Sequence, residues 1–414
     1  MKKTSHTLPN DKISVSVSKV IHRLSAGGHR AYLVGGGVRD ILLDRDPKDF
    51  DVATDAHPEQ IKNLFRNSRE VGRRFRIVHI RFGREIIEVS TFRKQPSDSA
   101  TKTSGPVMDD NAYGSFEEDV MRRDFTINAL YYDLINDEII DLVDGMSDRE
   151  NNAIRIIGDP LKRFREDPVR MLRAIRFKAK LDFNLDENIS SEIHRSGQLL
   201  EQIPAARLFE ETLKLFMSGH AAKSFQALLQ HGLFQRLFPR VETHFPNYAS
   251  NQHLIELALQ STDRRIKAEL PVTIAFVLAA FLWGEFLNKK NQLQSNGMAS
   301  ADAIAQAGMN TVTEQQFSTS IPKRFSIPMR EIWSLQFRLT VRRGKKAEKI
   351  LAHRRFRAAY DFLILREESG EKLDNLGQWW TQYQDADEQQ REVLRSTIGG
   401  KRITKKRRVK PTNN

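Results

Sequence analysis

Apolar residues along this chain follow two periods, and the change between them marks two regions. Up to about residue 145, short runs of strand character alternate with short helical segments; from Asp159 the spacing is almost wholly helical. Val17, Val20, Ile21 and Leu24 share one face of a helix over 13–26, which Gly27-Gly28 ends. Ala31 to Val34 predicts a short strand, glycines 35–37 a tight turn, and the residues through Leu43 a helix. Pro47 precedes a strand over 49–53, and Pro58 with Glu59 opens a helix over 58–65. Residues 71–80 end as a strand, 85–92 form another, and Phe82-Gly83 turns between them. Residues 94–114 are polar and turn-rich and predict a mobile loop; order resumes over 123–134. Further on, Asp167-Pro168 opens a helix with Asp as N-cap and Pro at the first position. Pro204, Gly219 and Gly232 separate later helices. Val272 to Trp283 is the most apolar stretch; at twelve residues it is too short to cross a bilayer and predicts a buried helix. The pattern predicts an α+β chain: a small mixed-sheet domain followed by a long helical body, without internal repeats.

Composition narrows the class. A chain of 414 residues has room for two or three domains, and 29% charged against 39% apolar residues is a globular balance. With no cysteine, a disulfide scaffold, a thiolate zinc site and a cysteine nucleophile are excluded, and a reducing compartment is expected. Met1 to Lys12 is polar, lacks the apolar core of a signal peptide, and residues 1–14 are expected to be disordered. The net charge of +13 points to a polyanionic partner, nucleic acid or a membrane surface. Lys401 to Lys410 holds seven basic residues in ten and reads as a disordered tail, over 396–414, that binds phosphates or simply solubilises the chain.

Candidate chemistry gathers in three places. The first is Leu33-Val34-Gly35-Gly36-Gly37-Val38-Arg39-Asp40, followed after a twelve-residue gap from Gly36 by Asp49-Phe50-Asp51-Val52. Glycines let backbone amides approach an anion, and a helix start adds partial positive charge. The run is neither a P-loop, since no Gly-Lys-Ser/Thr follows, nor a dinucleotide fingerprint, since Asp40 stands where a glycine is needed. By itself it equally suits a helix-packing turn. Asp49 and Asp51, two apart on a strand, point the same way. Such a pair can hold two divalent ions about 3.5–4 Å apart, with Asp124 or Glu88 as a third carboxylate. The second place is Arg122-Arg123-Asp124-Phe125-Thr126-Ile127-Asn128, where Arg123 suits a phosphate or an ion pair and Asn128 a ribose hydroxyl or a turn. The third is the run 165–177, in which Arg170, Arg173 and Arg176 form a stripe suited to a triphosphate or a base edge. Asp167 there could accept from a base amino group or cap the helix. Arg342, Arg343, Lys345 and Lys346, then Arg354, Arg355 and Arg357 beside Phe356, suit single-stranded RNA or a solvated face. Lys405, Lys406, Arg407 and Arg408 belong to the tail. Trp379-Trp380 reads as core, and the eleven histidines show no ligand spacing.

Four motifs in this order resemble the class II nucleotidyltransferases, which comprise tRNA CCA-adding enzymes and bacterial poly(A) polymerases. They are Gly-Gly-Gly-Val-Arg-Asp (35–40), Asp-Phe-Asp (49–51), Arg-Arg-Asp-Phe-Thr-Ile-Asn (122–128) and Glu-Asp-Pro-x-Arg-x-x-Arg (166–173). The segments 71–77, 203–211 and 356–361 look like the poly(A) polymerase branch, so the resemblance spans roughly residues 15–366. It implies a polymerase-beta-like nucleotidyltransferase head over 15–155, a helical neck over 156–240 and an elongated helical, RNA-binding body over 241–395. It implies that Asp49 and Asp51 hold Mg²⁺ or Mn²⁺, that Asp124 is the third catalytic carboxylate, and that Gly36, Arg39, Arg123, Arg170 and Arg173 contact the nucleotide; Gly35, Asn128 and Asp167 are placed with them. The implied activity is template-independent transfer of AMP from ATP to RNA 3′ ends. The implied setting is a cytoplasmic monomer with RNA-decay proteins as partners and no DNA. Ordered addition of CTP and ATP to tRNA is the alternative within the family. A non-catalytic RNA-binding protein and a small-molecule transferase are alternatives outside it.

Overall fold

The computed structural model describes residues 2–4, 8–72, 76–94, 112–244 and 249–397. Arg73, Arg74, Phe75, most of the expected loop 94–114 and the expected basic tail beyond Thr397 lie outside the described residues. The chain forms two compact units, residues 1–199 and 200–414, so the boundary falls within the expected neck.

Among the described residues, the first unit is built on an eight-stranded sheet, beside a small parallel pair of Ala153–Ile154 with Asn184–Leu185: β1 (Lys2–Thr4), β2 (Ala31–Val34), β3 (Asp51–Thr54), β4 (Ser68–Val71), β5 (Ile77–Phe82), β6 (Glu85–Thr91), β7 (Tyr131–Asp133) and β8 (Glu138–Asp141). They lie in the order β1-β8-β7-β2-β3-β6-β5-β4. Within this sheet only β3 and β6 pair in parallel, so it is mixed. The helices that accompany it are α1 (Val15–Ala26), α2 (Gly36–Leu42), α3 (Pro58–Leu64), α4 (Phe116–Met121), α5 (Gly145–Glu150), α6 (Pro160–Glu166), α7 (Val169–Leu181) and α8 (Glu187–Ser196).

Strand alternation sorts the side chains onto two faces. Leu33, Val52, Val78, Ile80, Ile87 and Val89 face the α1 stripe of Val17, Val20, Ile21 and Leu24, all fully buried. Val34, Ala53, Phe92 and Tyr131 face the other way, against Phe116 and Val120 of α4. Asp51, Glu88 and Ser90 share the parity of that second face. There the apolar cover gives way to polar side chains.

Two expectations are corrected here. Residues 1–14 are not unstructured throughout: Lys2–Thr4 pairs with residues 139–141 of β8, and Leu8 and Ile13 are buried. An otherwise open sheet edge and two apolar anchors in a polar segment explain the order. The strand carrying the aspartates begins at Asp51, so Asp49 stands just outside it, exposed, with Phe50 buried between them. The strand Ser68–Val71 is not evident from the sequence, since its alternation is weak and both its faces are partly exposed.

The second unit holds no strand among its described residues; it is helical from Ala205–Phe216 to Glu388–Thr397. In the apolar stretch, Ile274–Phe281 is a helix with every side chain but Phe276 buried. No helix among the described residues is long and apolar enough to cross a membrane. Trp379 and Trp380 are core, Trp380 donating its indole N–H to the Leu339 carbonyl at 2.9 Å.

Candidate active site

β2 runs into Gly35, whose φ of 76° is open to glycine without strain. A Cβ there would lie 3.5 Å from Arg123 Nη1 and 3.9 Å from Asp51 Oδ2, so the turn brings bare backbone against both groups. Its N–H donates to the Leu130 carbonyl at 3.3 Å. Gly36 and Gly37 open α2, and a Cβ on Gly37 would sit 3.3 Å from the Phe50 ring and 3.6 Å from the Asp49 carbonyl. Close packing at Gly37 therefore sets where Asp49 stands.

Register places the carboxylates. Asp51 pairs with Val34 on one side and with Glu88 on the other. Glu88 in turn faces His79, whose Nε2 is 3.3 Å from its carboxylate. Burial pushes the Asp51 carboxyl up, Glu88 adds to this, Arg123 opposes it and Asp49 adds again, to about 6. Hard oxygen donors crowd here with more negative charge than the protein neutralises, an arrangement a divalent cation relieves. As the side chains stand, no group of three potential ligands converges fully among the described residues.

Asp51, Glu88 and Ser90 line a cleft of about 350 Å³ together with Arg93, Arg122 and Arg123, Val34 and Ile77. Carboxylates and guanidinium groups lining one cleft suit a metal-bound triphosphate.

Other expected site residues form a separate, buried polar strut. Arg39, 2% exposed, donates to Asp40 Oδ1 from Nε at 2.9 Å and from Nη2 at 2.6 Å, and also to Asn128 Oδ1. Lys180 Nζ donates to Asp40 Oδ2 at 3.0 Å. Asn128 Nδ2 donates to Asp124 Oδ1 at 3.3 Å, and Arg173 Nε donates to Asp124 Oδ2 at 2.7 Å. This chain of bonds ties α2, the 3-10 turn Thr126–Asn128 and α7 together. Burial pushes the Asp124 carboxyl up, but the Arg173 charge and hydrogen bond, the Phe125 amide and Asn128 outweigh it and hold it at about 2. Asp124 is thus committed to Arg173, while Glu88 is the carboxylate facing Asp51.

Arg170 Nη1 donates to the Arg163 carbonyl at 2.8 Å and to Glu166 at 2.9 Å. The Asp167 carboxylate accepts from the Val169 N–H at 3.2 Å, but the N-cap of α7 falls on Pro168, one place later than the sequence reading put it, and Asp167 closes α6. In the second unit, Arg343, Lys345 and Lys346 line a concavity of about 400 Å³ with Lys349, and Arg342 lies over the Trp379 ring at 5.8 Å. Arg354 and Arg355 both pair with Glu331, and Arg357 pairs with Asp361 at 2.8 Å. Lys405 to Arg408 lie outside the described residues.

Sequence reasoning missed Arg93, Asp119 and Tyr131. Arg93 lies two residues past β6 and out of step with Glu88 and Ser90, so strand alternation does not predict that it lines the cleft. Asp119 sits among three consecutive acidic residues of α4, where a solvated helix start is the ordinary reading.

The chain matches three family models: the poly A polymerase head domain over residues 31–155, the probable RNA and SrmB-binding site of polymerase A over 182–245, and the polymerase A arginine-rich C-terminus over 296–414. It is 44% identical over 418 residues to poly(A) polymerase I of Salmonella typhi, covering 98% of this chain and 90% of that protein. The chain belongs to the poly(A) polymerase family. A CCA-adding enzyme of Lactobacillus helveticus is 37% identical over 245 residues, which is 59% of this chain and 58% of that enzyme. The crystal structure of the Bacillus stearothermophilus CCA-adding enzyme in complex with CTP superposes with a TM-score of 0.53 at 24% identity, covering 92% of this chain and 80% of that one. This chain thus shares the fold of that structure, and its sequence likeness to the poly(A) polymerase covers more of the chain than its likeness to the CCA-adding enzyme.

Proposed function

We propose that the cleft lined by Asp51, Glu88 and the three arginines is where this polynucleotide adenylyltransferase moves AMP from ATP to an RNA 3′-hydroxyl without a template. Pyrophosphate leaves. The observation that carries this reading is the register: Asp51 and Glu88 are direct cross-strand partners, and Arg93, Arg122 and Arg123 line the same cleft. Magnesium or manganese, held by Asp49, Asp51 and Glu88, would make the 3′-hydroxyl a better nucleophile and neutralise the triphosphate. Glu88 takes the place that the family resemblance gave to Asp124. Asp124, with Arg39 and Asn128, holds the glycine turn against α7. Arg123 reaches the phosphates past Gly35, whose positive φ of 76° only a glycine adopts without strain. Arg170 and Arg173, with Asp167, lie on the side where a base would be selected.

In the second unit, Arg342, Arg343, Lys345 and Lys346 form the RNA-binding face, with the tail residues Lys405, Lys406, Arg407 and Arg408 adding nonspecific attraction to phosphates. Glu331 and Asp361 offset two of the three charges of Arg354, Arg355 and Arg357, which contribute less. We retain the division into head, neck, body and tail, and a cytoplasmic enzyme that acts as a monomer alongside RNA-decay proteins.

The test is extension of a labelled RNA by Asp49→Ala, Asp51→Ala and Glu88→Gln. Each should slow the chemical step by orders of magnitude while RNA binding persists. Extension at the wild-type rate by Asp51→Ala, with contamination excluded, sinks the assignment.

A further inference from the structure

The arginine wall of the cleft has a single organising group. Asp119 of α4 is 0% exposed, yet its carboxylate serves four partners. Oδ1 accepts from Arg122 Nε at 2.8 Å and from the backbone N–H of Arg93 at 3.1 Å. Oδ2 accepts from the Tyr131 hydroxyl at 2.5 Å and from Arg123 Nη2 at 3.3 Å. The Tyr131 hydroxyl in turn accepts from Arg123 Nε at 2.6 Å. The guanidinium groups of Arg122 and Arg123 therefore converge on one buried carboxylate, which also holds the backbone of Arg93; the Arg93 guanidinium itself donates to the Arg76 carbonyl at 3.1 Å.

The consequence for Arg123 is directional. Its Nε and Nη2 are fixed, and its guanidinium lies over the Tyr131 ring at 4.9 Å. The remaining nitrogen, Nη1, is the atom nearest the bare face of Gly35, beside Asp51. A planar fork with two corners tied presents its third corner in one direction only. The backbone is held as well: Arg163, buried in α6, donates from Nη2 to the Arg122 carbonyl at 2.7 Å and to that of Arg123. Burial pushes the Asp119 carboxyl up, but Arg123, Arg122 and Tyr131 outweigh this and keep it ionised.

We propose that Asp119 is a positioning residue that presets Arg122 and Arg123 as the triphosphate-binding wall before ATP arrives. It touches no substrate; it removes the freedom that two long side chains would otherwise lose on binding. This rests on the cleft being the triphosphate site.

The sign of the effect separates positioning from plain electrostatics. Asp119→Asn keeps the shape and removes a negative charge. Charge alone would strengthen the pull of the arginines on a polyphosphate and lower the KM for ATP. Loss of positioning raises it. We expect Asp119→Asn to raise the KM for ATP, and the inhibition constant of inorganic triphosphate, by about tenfold. The rise in KM should exceed any fall in kcat, and RNA affinity should hold. Tyr131→Phe removes one hydroxyl and leaves the carboxylate; a shift of about threefold in the same direction is expected. If Asp119→Asn does not fold, Tyr131→Phe decides, and an unchanged KM and inhibition constant there overturns the proposal. Arg123→Ala completes the set. If it weakens ATP and triphosphate while Asp119→Asn leaves them unchanged or tighter, the positioning role fails and the cleft stands. If Arg123→Ala also changes nothing, the cleft reading itself is wrong and the proposal falls with it.

Discussion

At the scale of the residue, identical side-chain types do different work according to their surroundings. Asp51 is half-buried beside Glu88 and Asp49 and is short of positive charge; Asp124 is buried against Arg173 and has enough. The two should therefore fail differently. Glu88→Gln should lower kcat at least about a hundredfold with little change in melting temperature, on the scale of losing a group that stabilises developing charge. Asp124→Asn should act mainly on stability. Its carboxyl is held at about 2 in the fold against an ordinary 3.8. A depressed folded pKa contributes stability that is complete above pH ~4 and is lost as pH falls to ~2. The melting-temperature gap between wild type and Asp124→Asn should thus be widest near neutral pH, on the order of 2 kcal/mol in stability, and should close on acidification across that window. A gap that widened in acid would contradict the Arg173 pairing. Gly35→Ala is expected to cost about 1–3 kcal/mol, because its φ of 76° and ψ of −131° lie where a side chain is strained. Chemical denaturation of the variant measures it.

At the scale of the element, α1, β2 and the buried helix within 272–283 are legible in the sequence because one period dominates each. The four buried positions of α1 recur at helical spacing, and β2 runs Ala31 to Val34 as read. The glycine turn and the aspartate pair are legible as motifs. What motifs do not convey is pairing. Asp124 and Glu88 are equal candidates in sequence; only the parallel alignment of β3 with β6, whose partners lie far apart in the chain, puts Glu88 opposite Asp51. Arg93 stays hidden because it lies past the strand and out of its alternation, and Asp119 because an acidic helix start ordinarily faces solvent. β1 escapes notice because three polar residues carry no apolar period and are ordered by an edge they find elsewhere. One element yields its own prediction. The helix Lys345–Leu351 and the turn before it expose Arg343, Lys345, Lys346 and Lys349 together. Replacing Arg343, Lys345 and Lys346 by alanine should weaken RNA binding at low salt. It should also flatten log affinity against log salt by about 0.7 for each phosphate no longer neutralised. Parallel salt lines for variant and wild type would mean that the face does not touch RNA.

At the scale of the whole molecule, charge, fold and family agree. A net charge of +13 asks for a polyanion, the first unit supplies a cleft of carboxylates and arginines, and the likeness to a poly(A) polymerase runs along 98% of the chain. The reading distinguishes itself from CCA addition by what limits the product. A CCA-adding enzyme stops after three nucleotides on tRNA, whereas template-independent adenylation needs only a free 3′ end and ATP. The most direct measurement supplies purified protein with a labelled non-tRNA oligonucleotide and, separately, a truncated tRNA, adding the nucleoside triphosphates singly and together, beside the Glu88→Gln variant. Long adenosine tails from ATP alone, metal-dependent and abolished in the variant, are the predicted result. Two cytidines and one adenosine added to a truncated tRNA, with no growth of other RNAs, would contradict it.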